Sequence, residues 1–189
     1  MKALVLYGTR WGGTVKIAEK IGCTLKSEGY HVEVVNAKQS IHNVNVYDLV
    51  VIGSGIRADK WTKETISFIE KNESILKTKK TALFVSCQMA DGKKEAQDKA
   101  KVLYLKKTAE QYDLRPVSFG FFGGFLDFSK SHGLLVDIMV RVNKKSLRKN
   151  GLDITKVRDT RDWDIIESWA RNVAKIGLQS NDSEFDKQT

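Results

Sequence analysis

Cysteine is almost absent from this chain: Cys23 and Cys87 stand alone, with no CxxC pair and no Cys/His spacing that would hold zinc or an iron–sulfur cluster. Neither a disulfide framework nor a metal site is indicated, so any redox chemistry must come from an organic cofactor. Long hydrophobic runs are missing too. The apolar stretches 3–7, 49–52 and 82–85 fall far below the roughly 20 residues that span a bilayer, and Met1-Lys2 leads into a strand rather than a signal peptide. The expected location is cytoplasmic. Proline occurs once, at Pro116, which leaves long uninterrupted stretches free to form helices and strands. Acidic residues are outnumbered, 23 against 32 lysines and arginines, for a net charge of +9. This excess favours an anionic partner, but its sign alone does not choose among nucleic acid, membrane surface, small acid and acidic protein, and scattered lysines also serve as a solvated face.

What is present is a regular alternation of apolar runs and amphipathic segments. In 189 residues, 41% of them hydrophobic, there is room for one α/β domain, expected over 1–178, with a polar and disordered tail at 179–189. A strand over 2–8 leads to a helix over 14–28 with Ile17, Ile21 and Leu25 on one stripe, stopped at Gly29. The segment 31–36 alternates as an edge strand does, whereas 47–53 is continuously apolar and reads as a central one. A helix follows over 62–71, with Ile66 and Ile69 inward, and then a strand over 81–86. The spacing of Ala96, Ala100, Leu103 and Ala109 predicts a helix over 93–112, and Pro116 opens a fifth strand over 117–122. Asp162 caps a last helix over 162–176, with Ile165, Ile166, Trp169, Val173 and Ile176 on one face. This order predicts a doubly wound parallel sheet with right-handed crossovers and a ligand across the carboxyl ends of its strands.

The first such end is LVLYGTRWGGT, at 4–14, where an apolar run gives way to hydroxyls and glycines just before a helix. Unpaired N–H groups and the positive end of the helix dipole make that junction an anion site. Gly8 and Gly13-Thr14 lack the lysine that a GxxxxGK[ST] loop needs, and the stretch lacks the second glycine of GxGxxG. Thr9, Arg10, Trp11, Gly12, Gly13 and Thr14 together resemble the phosphate loop of flavodoxins, in which hydroxyl and backbone donors wrap the phosphate of FMN. The resemblance implies FMN as cofactor and a flavodoxin-like three-layer sandwich, a five-stranded parallel sheet in the order 2-1-3-4-5 with helices on both faces. Trp11 departs from the pattern, standing where a further hydroxyl residue is usual. Arg10 can add a cation or point away.

The second end, Val51 to Arg57, resembles the first flavin-ring loop of the menaquinone-dependent protoporphyrinogen oxidases of the flavodoxin superfamily, and Thr160-Arg161-Asp162-Trp163 with Trp169-Ala170 resembles the start of their C-terminal helix. That resemblance implies that Ser54, Gly55, Ile56 and Arg57 border the ring; by their chemistry Trp61 can stack on it, and Arg57, the candidate catalytic residue, can pair with substrate carboxylates or interact with the reduced flavin. Trp61 as a packing residue at a helix start and Arg57 as a surface charge are the alternatives. Ser86, Cys87, Gln88 and Met89 would bind the pyrimidine side of the flavin through backbone donors. Their loop has no aromatic residue to cover the outer ring face, which leaves that face to a substrate. Cys87 itself reads as a small core residue.

An insert over 123–161 separates the fifth strand from the last helix. It begins with Phe125 and Phe128, continues with Leu134, Leu135, Ile138, Met139 and Val142 at amphipathic helical spacing, and ends in Lys144, Lys145, Arg148 and Lys149. The pattern suits either peripheral contact with the inner face of an anionic membrane through 123–149 or a helix packed on the domain. His132, beside Gly133, reads as a turn residue. Taken with the resemblance, these features imply an FMN-dependent oxidoreductase that takes hydrogens from an anionic tetrapyrrole and passes electrons to a quinone. The alternative is a flavodoxin-like carrier that docks on redox proteins. Nucleic acid would leave the three loops unused and is not expected.

Overall fold

A computed structural model describes residues 1–41, 43–127 and 157–179. Five strands, β1 (Lys2–Gly8), β2 (His31–Asn36), β3 (Leu49–Gly55), β4 (Lys80–Ser86) and β5 (Ser118–Phe122), form one sheet in the order β2-β1-β3-β4-β5. Every neighbouring pair is parallel. The central strands read as continuous apolar runs because both faces are covered, and β3 is buried from Leu49 to Ser54. β2 is the half-exposed edge that its alternation predicts.

Side-chain alternation along each strand feeds two separate cores. Ala3, Val5, Leu49, Val51, Ala82 and Phe84 face α1 (Gly13–Ser27) and the last helix, α6 (Trp163–Gln179). Leu4, Leu6, Val50, Ile52, Leu83 and Val85 face α2 (Lys63–Lys71), the short α3 (Glu73–Leu76), and the pair α4 (Lys94–Lys101) and α5 (Lys107–Gln111). The chain crosses from one face of the sheet to the other between β1 and β3, so the loops after those strands part around a cleft.

Two expectations about helix faces need correction. The segment 93–112 is not one α-helix: a π turn over Val102–Lys106 joins α4 to α5. One extra residue per turn rotates the stripe, so that Tyr104 and Leu105 are buried while Leu103, expected inward, is 42% exposed. In α6, Asp162 caps through Oδ1, which accepts from the N–H groups of Asp164 at 3.1 Å and Ile165 at 3.0 Å. Ile165 points outward, however, and the buried face is Ile166, Ala170, Val173, Ala174 and Gly177.

Beyond β5 a short antiparallel pair, β6 (Phe125–Asp127) with β7 (Val157–Asp159), closes the two ends of the insert into a stem. The expected amphipathic helix, its basic end, His132 and the polar tail beyond residue 179 lie outside the described residues. Among the described residues, no helix is long and apolar enough to cross a membrane.

Candidate functional site

The loop after β1 is shaped by glycines. Gly12 sits at φ +84°, the left-handed region that side chains avoid, and caps α1 without a side-chain bond. Its N–H donates to Thr9 Oγ1 at 2.9 Å, which turns the loop back on itself and leaves the Thr9 hydroxyl hydrogen available to an anion. Gly13 opens the helix, and Thr14, in its first turn, is buried. The N–H groups of Gly13 and Thr14, in the first turn of α1, have no partner within the helix and face this loop, while that of Val15 donates to Gly12 O at 3.2 Å. The loop therefore gathers dipoles around a small space.

Two further strand ends meet it. The N–H of Ile56, just past β3, donates to Ser86 O at 3.0 Å, and that of Cys87, just past β4, donates to Phe122 O at 3.0 Å. The loops after β3, β4 and β5 are thus stitched edge to edge. A Cβ on Gly55 would come within 2.8 Å of Thr14 Oγ1, so only glycine lets the second loop approach the first so closely. Arg57 lies 5.0 Å from the centre of the Trp11 ring, a cation–π contact that bridges the cleft between those two loops.

The cleft is lined by Thr9, Arg10, Trp11, Gly13, Thr14, Gly55, Ile56, Arg57, Ser86, Cys87 and Gln88, with Gly124 and Phe125. Four residues expected there stand apart. Gly12 forms the outer turn, and Met89 is exposed beyond the rim. Ser54 is buried with its Oγ accepting from Thr62 N–H at 2.9 Å. Trp61 is 7% exposed and packs in the core, where its Nε1 donates to Tyr104 O at 2.7 Å. It borders a different cleft of about 550 Å³ between α2 and α5. That larger space lies between helices, away from the glycines and strand ends that converge on the smaller one. Burial pushes the Cys87 thiol up against the opposing pull of the Met89 and Ala90 N–H groups, so Cys87 has the character of an inert core thiol.

Gly124, Phe125 and Arg161 are neighbours of the site that the sequence reading left out of it. Gly124 O accepts from Thr160 N–H at 3.0 Å, and Gly124 N–H donates to Thr160 Oγ1 at 3.0 Å. Arg161 lies between the rings of Phe125, at 4.8 Å, and Trp163, at 4.7 Å. It grips Asp159 through Nε at 2.7 Å and Nη2 at 2.5 Å, and its Nη1 donates to Gly13 O at 3.2 Å. This hydrogen bonding holds the Asp159 carboxyl below the usual carboxylate range. The stem of the insert is thereby fastened to the first turn of α1. Its sequence signals are Gly123-Gly124 after a strand and Thr160-Arg161-Asp162-Trp163 before the last helix.

The residues present fit a phosphorylated flat ring. Gln88 Oε1 is buried on the cleft wall without a hydrogen-bond partner among the described residues, an acceptor suited to an N–H at the ring edge. The cleft holds about 100 Å³, with the exposed Trp11 at its rim. The description "Flavodoxin domain" belongs to the family profile that matches residues 4–150. Over 181 residues the chain is 26% identical to protoporphyrinogen IX dehydrogenase [quinone] of Escherichia coli (strain K12), covering 93% of this chain and 96% of that protein. Among solved structures, a flavodoxin from Streptococcus pneumonia TIGR4 superposes with a TM-score of 0.58 at 14% identity, over 93% of this chain and 99% of the other. Two-electron reduced Megasphaera elsdenii flavodoxin superposes at 0.55 and 17% identity, over 93% and 99%. With its sheet order, its glycine-shaped loop and a profile match over most of its length, the chain belongs to the flavodoxin domain family, whose fold implies a flavin-type redox function.

Proposed function

We propose that this chain is an FMN-dependent oxidoreductase that removes hydrogens from a protoporphyrinogen-like tetrapyrrole and passes the electrons to a quinone. The observation that carries this reading is the similarity to the quinone-linked dehydrogenase of Escherichia coli, which covers 93% of this chain and so extends past residue 150, where the domain match ends, into the last helix. The Thr9 hydroxyl, the α1 N–H groups and Thr14 would hold the phosphate, with Arg10 adding positive charge at the rim. Gly55, Ile56, Ser86, Cys87 and Gln88 would border the ring. Bound there, the flavin would supply the two-electron chemistry. Arg57 would orient a substrate carboxylate at the open edge, holding it by a charge-assisted bond while Trp11 keeps the guanidinium in place. The insert over 123–149 would bring this edge to an anionic membrane surface, where a quinone resides.

Purified protein should be yellow and release FMN on denaturation, and anaerobic assay with protoporphyrinogen and a menaquinone analogue should show turnover. A colourless protein that refuses FMN in titration overturns the reading. FMN-loaded protein without turnover, rapidly reduced by a ferredoxin reductase, would instead be a carrier between redox proteins.

A further inference from the structure

The turn at Arg57 to Lys60 is built from the wrong residues for its shape. Arg57 N–H donates to Lys60 O at 3.1 Å and Lys60 N–H donates to Arg57 O at 3.1 Å, a two-residue hairpin connection. Its central residues, Ala58 at φ +47° and Asp59 at φ +58°, are both left-handed. Such a turn favours asparagine and glycine, and here alanine occupies the first central position. Left-handed conformations of this kind persist where the surroundings hold them.

The support comes from behind, from one residue on the π turn. The Tyr104 hydroxyl donates to Asp59 Oδ1. Two residues along, Trp61 Nε1 donates to Tyr104 O at 2.7 Å, and the same carbonyl accepts from Thr108 Oγ1 at 2.9 Å. Tyr104 is 4% exposed and Trp61 is 7% exposed, so the indole-to-carbonyl bond is buried, whereas the hydroxyl of Tyr104 reaches out to the exposed Asp59. Burial and, after it, the Asp59 carboxylate push the Tyr104 hydroxyl upward, which keeps it protonated as a donor. The π turn is what makes the geometry available: it turns Tyr104 inward and presents its backbone carbonyl to the indole. Hydroxyl and carbonyl of one residue thus fasten the turn at Asp59 and again at Trp61.

We infer that Tyr104 is a positioning residue for the flavin site, holding the 57–61 turn in the shape that presents Gly55, Ile56 and Arg57 to the ring. This rests on the FMN reading of the cleft. Tyr104 touches neither the cleft nor a ligand in it; it acts through Asp59 and Trp61. It should therefore matter at the ring end and not at the phosphate end.

The test uses the full chain and two flavins that differ only in the phosphate, FMN and riboflavin. Tyr104→Phe keeps the ring and the carbonyl but removes the hydroxyl, and Asp59→Ala removes the same bond from the other side. In both, amide hydrogen exchange at 57–61 should quicken about three- to tenfold while exchange in the sheet strands is unchanged, the loss expected for one hydrogen bond. The dissociation constants of FMN and riboflavin should rise by that same factor, in parallel. Asp59→Asn, which keeps an acceptor and tolerates left-handed φ, should stay near wild type. Wild-type exchange at 57–61 in Tyr104→Phe overturns the inference, as does a loss confined to FMN. A wild-type chain that takes up neither flavin overturns the FMN reading itself, and with it the purpose of the clamp.

Discussion

The loops after β1 and β3 face each other across one cleft, yet they reach their shapes by opposite means. The first is made of residues that want the conformation they hold: Gly12 is left-handed at no steric cost, with nothing within 4 Å of where a Cβ would stand. Its bonds from Gly12 N–H to Thr9 Oγ1 and from Val15 N–H to Gly12 O are local. The second holds Ala58 and Asp59 left-handed and depends on Tyr104, which is 45 residues away from Asp59. A loop that binds an anion with backbone dipoles needs only the right φ angles. On the proposed FMN reading, a loop that sets side chains against a flat ring needs a fixed distance from the core, and a distant residue supplies it.

The sharpest way to break the first loop is at its root, where glycine is required by packing rather than by φ. A Cβ on Gly8 would lie 1.9 Å from Thr62 Oγ1 and 2.2 Å from Thr65 Oγ1. Those hydroxyls are bonded to each other at 2.8 Å, and both residues are buried, so neither can swing into water. Overpacking and a broken buried hydroxyl pair together should make Gly8→Ala less stable by about 3 kcal/mol, read from denaturant unfolding with an unchanged slope. A loss under about 1 kcal/mol would mean that the β1 end yields, and that the first loop is less rigidly seated than its neighbour.

The same contrast explains what could be read from the sequence. The sheet was legible because buried parallel strands are continuous apolar runs and β2 alternates, and the first loop was legible because its Gly/Thr chemistry is contiguous. Eleven of the expected site residues border the cleft, since they follow strand ends directly. Trp61 was open to two readings, and its place in the core depends on a carbonyl 43 residues away, on the π turn. A one-residue insertion in a helix leaves no mark on composition and little on periodicity, so Leu103 and Tyr104 exchange faces unannounced. The stem escaped notice for a different reason: β6 and β7 are three residues each and pair across the whole length of the insert. The helix and basic cluster expected within that insert lie outside the described residues.

Backbone angle alone offers two milder substitutions with opposite signs. Gly12→Ala places a side chain at φ +84°, beyond the small left-handed basin near +50° to +70°, and should cost about 1 kcal/mol although the space is open. Gly12→Asn should cost less, because asparagine tolerates that region. In the second loop the change runs backwards. Ala58 at φ +47° lies at the edge of that basin, so Ala58→Gly relieves a smaller strain, offset in part by the greater freedom that glycine has in the unfolded chain. The net expectation is a gain of about 0.5 kcal/mol in unfolding free energy. The informative measurement is the same substitution made in Tyr104→Phe. If the Tyr104 hydroxyl imposes the turn, its removal lets Ala58 relax, and the gain from glycine should shrink toward zero, a coupling that a double-mutant cycle reads directly. Equal gains in both backgrounds would mean that the two hydrogen bonds between Arg57 and Lys60 hold the left-handed pair unaided, and the second loop would then be as self-sufficient as the first.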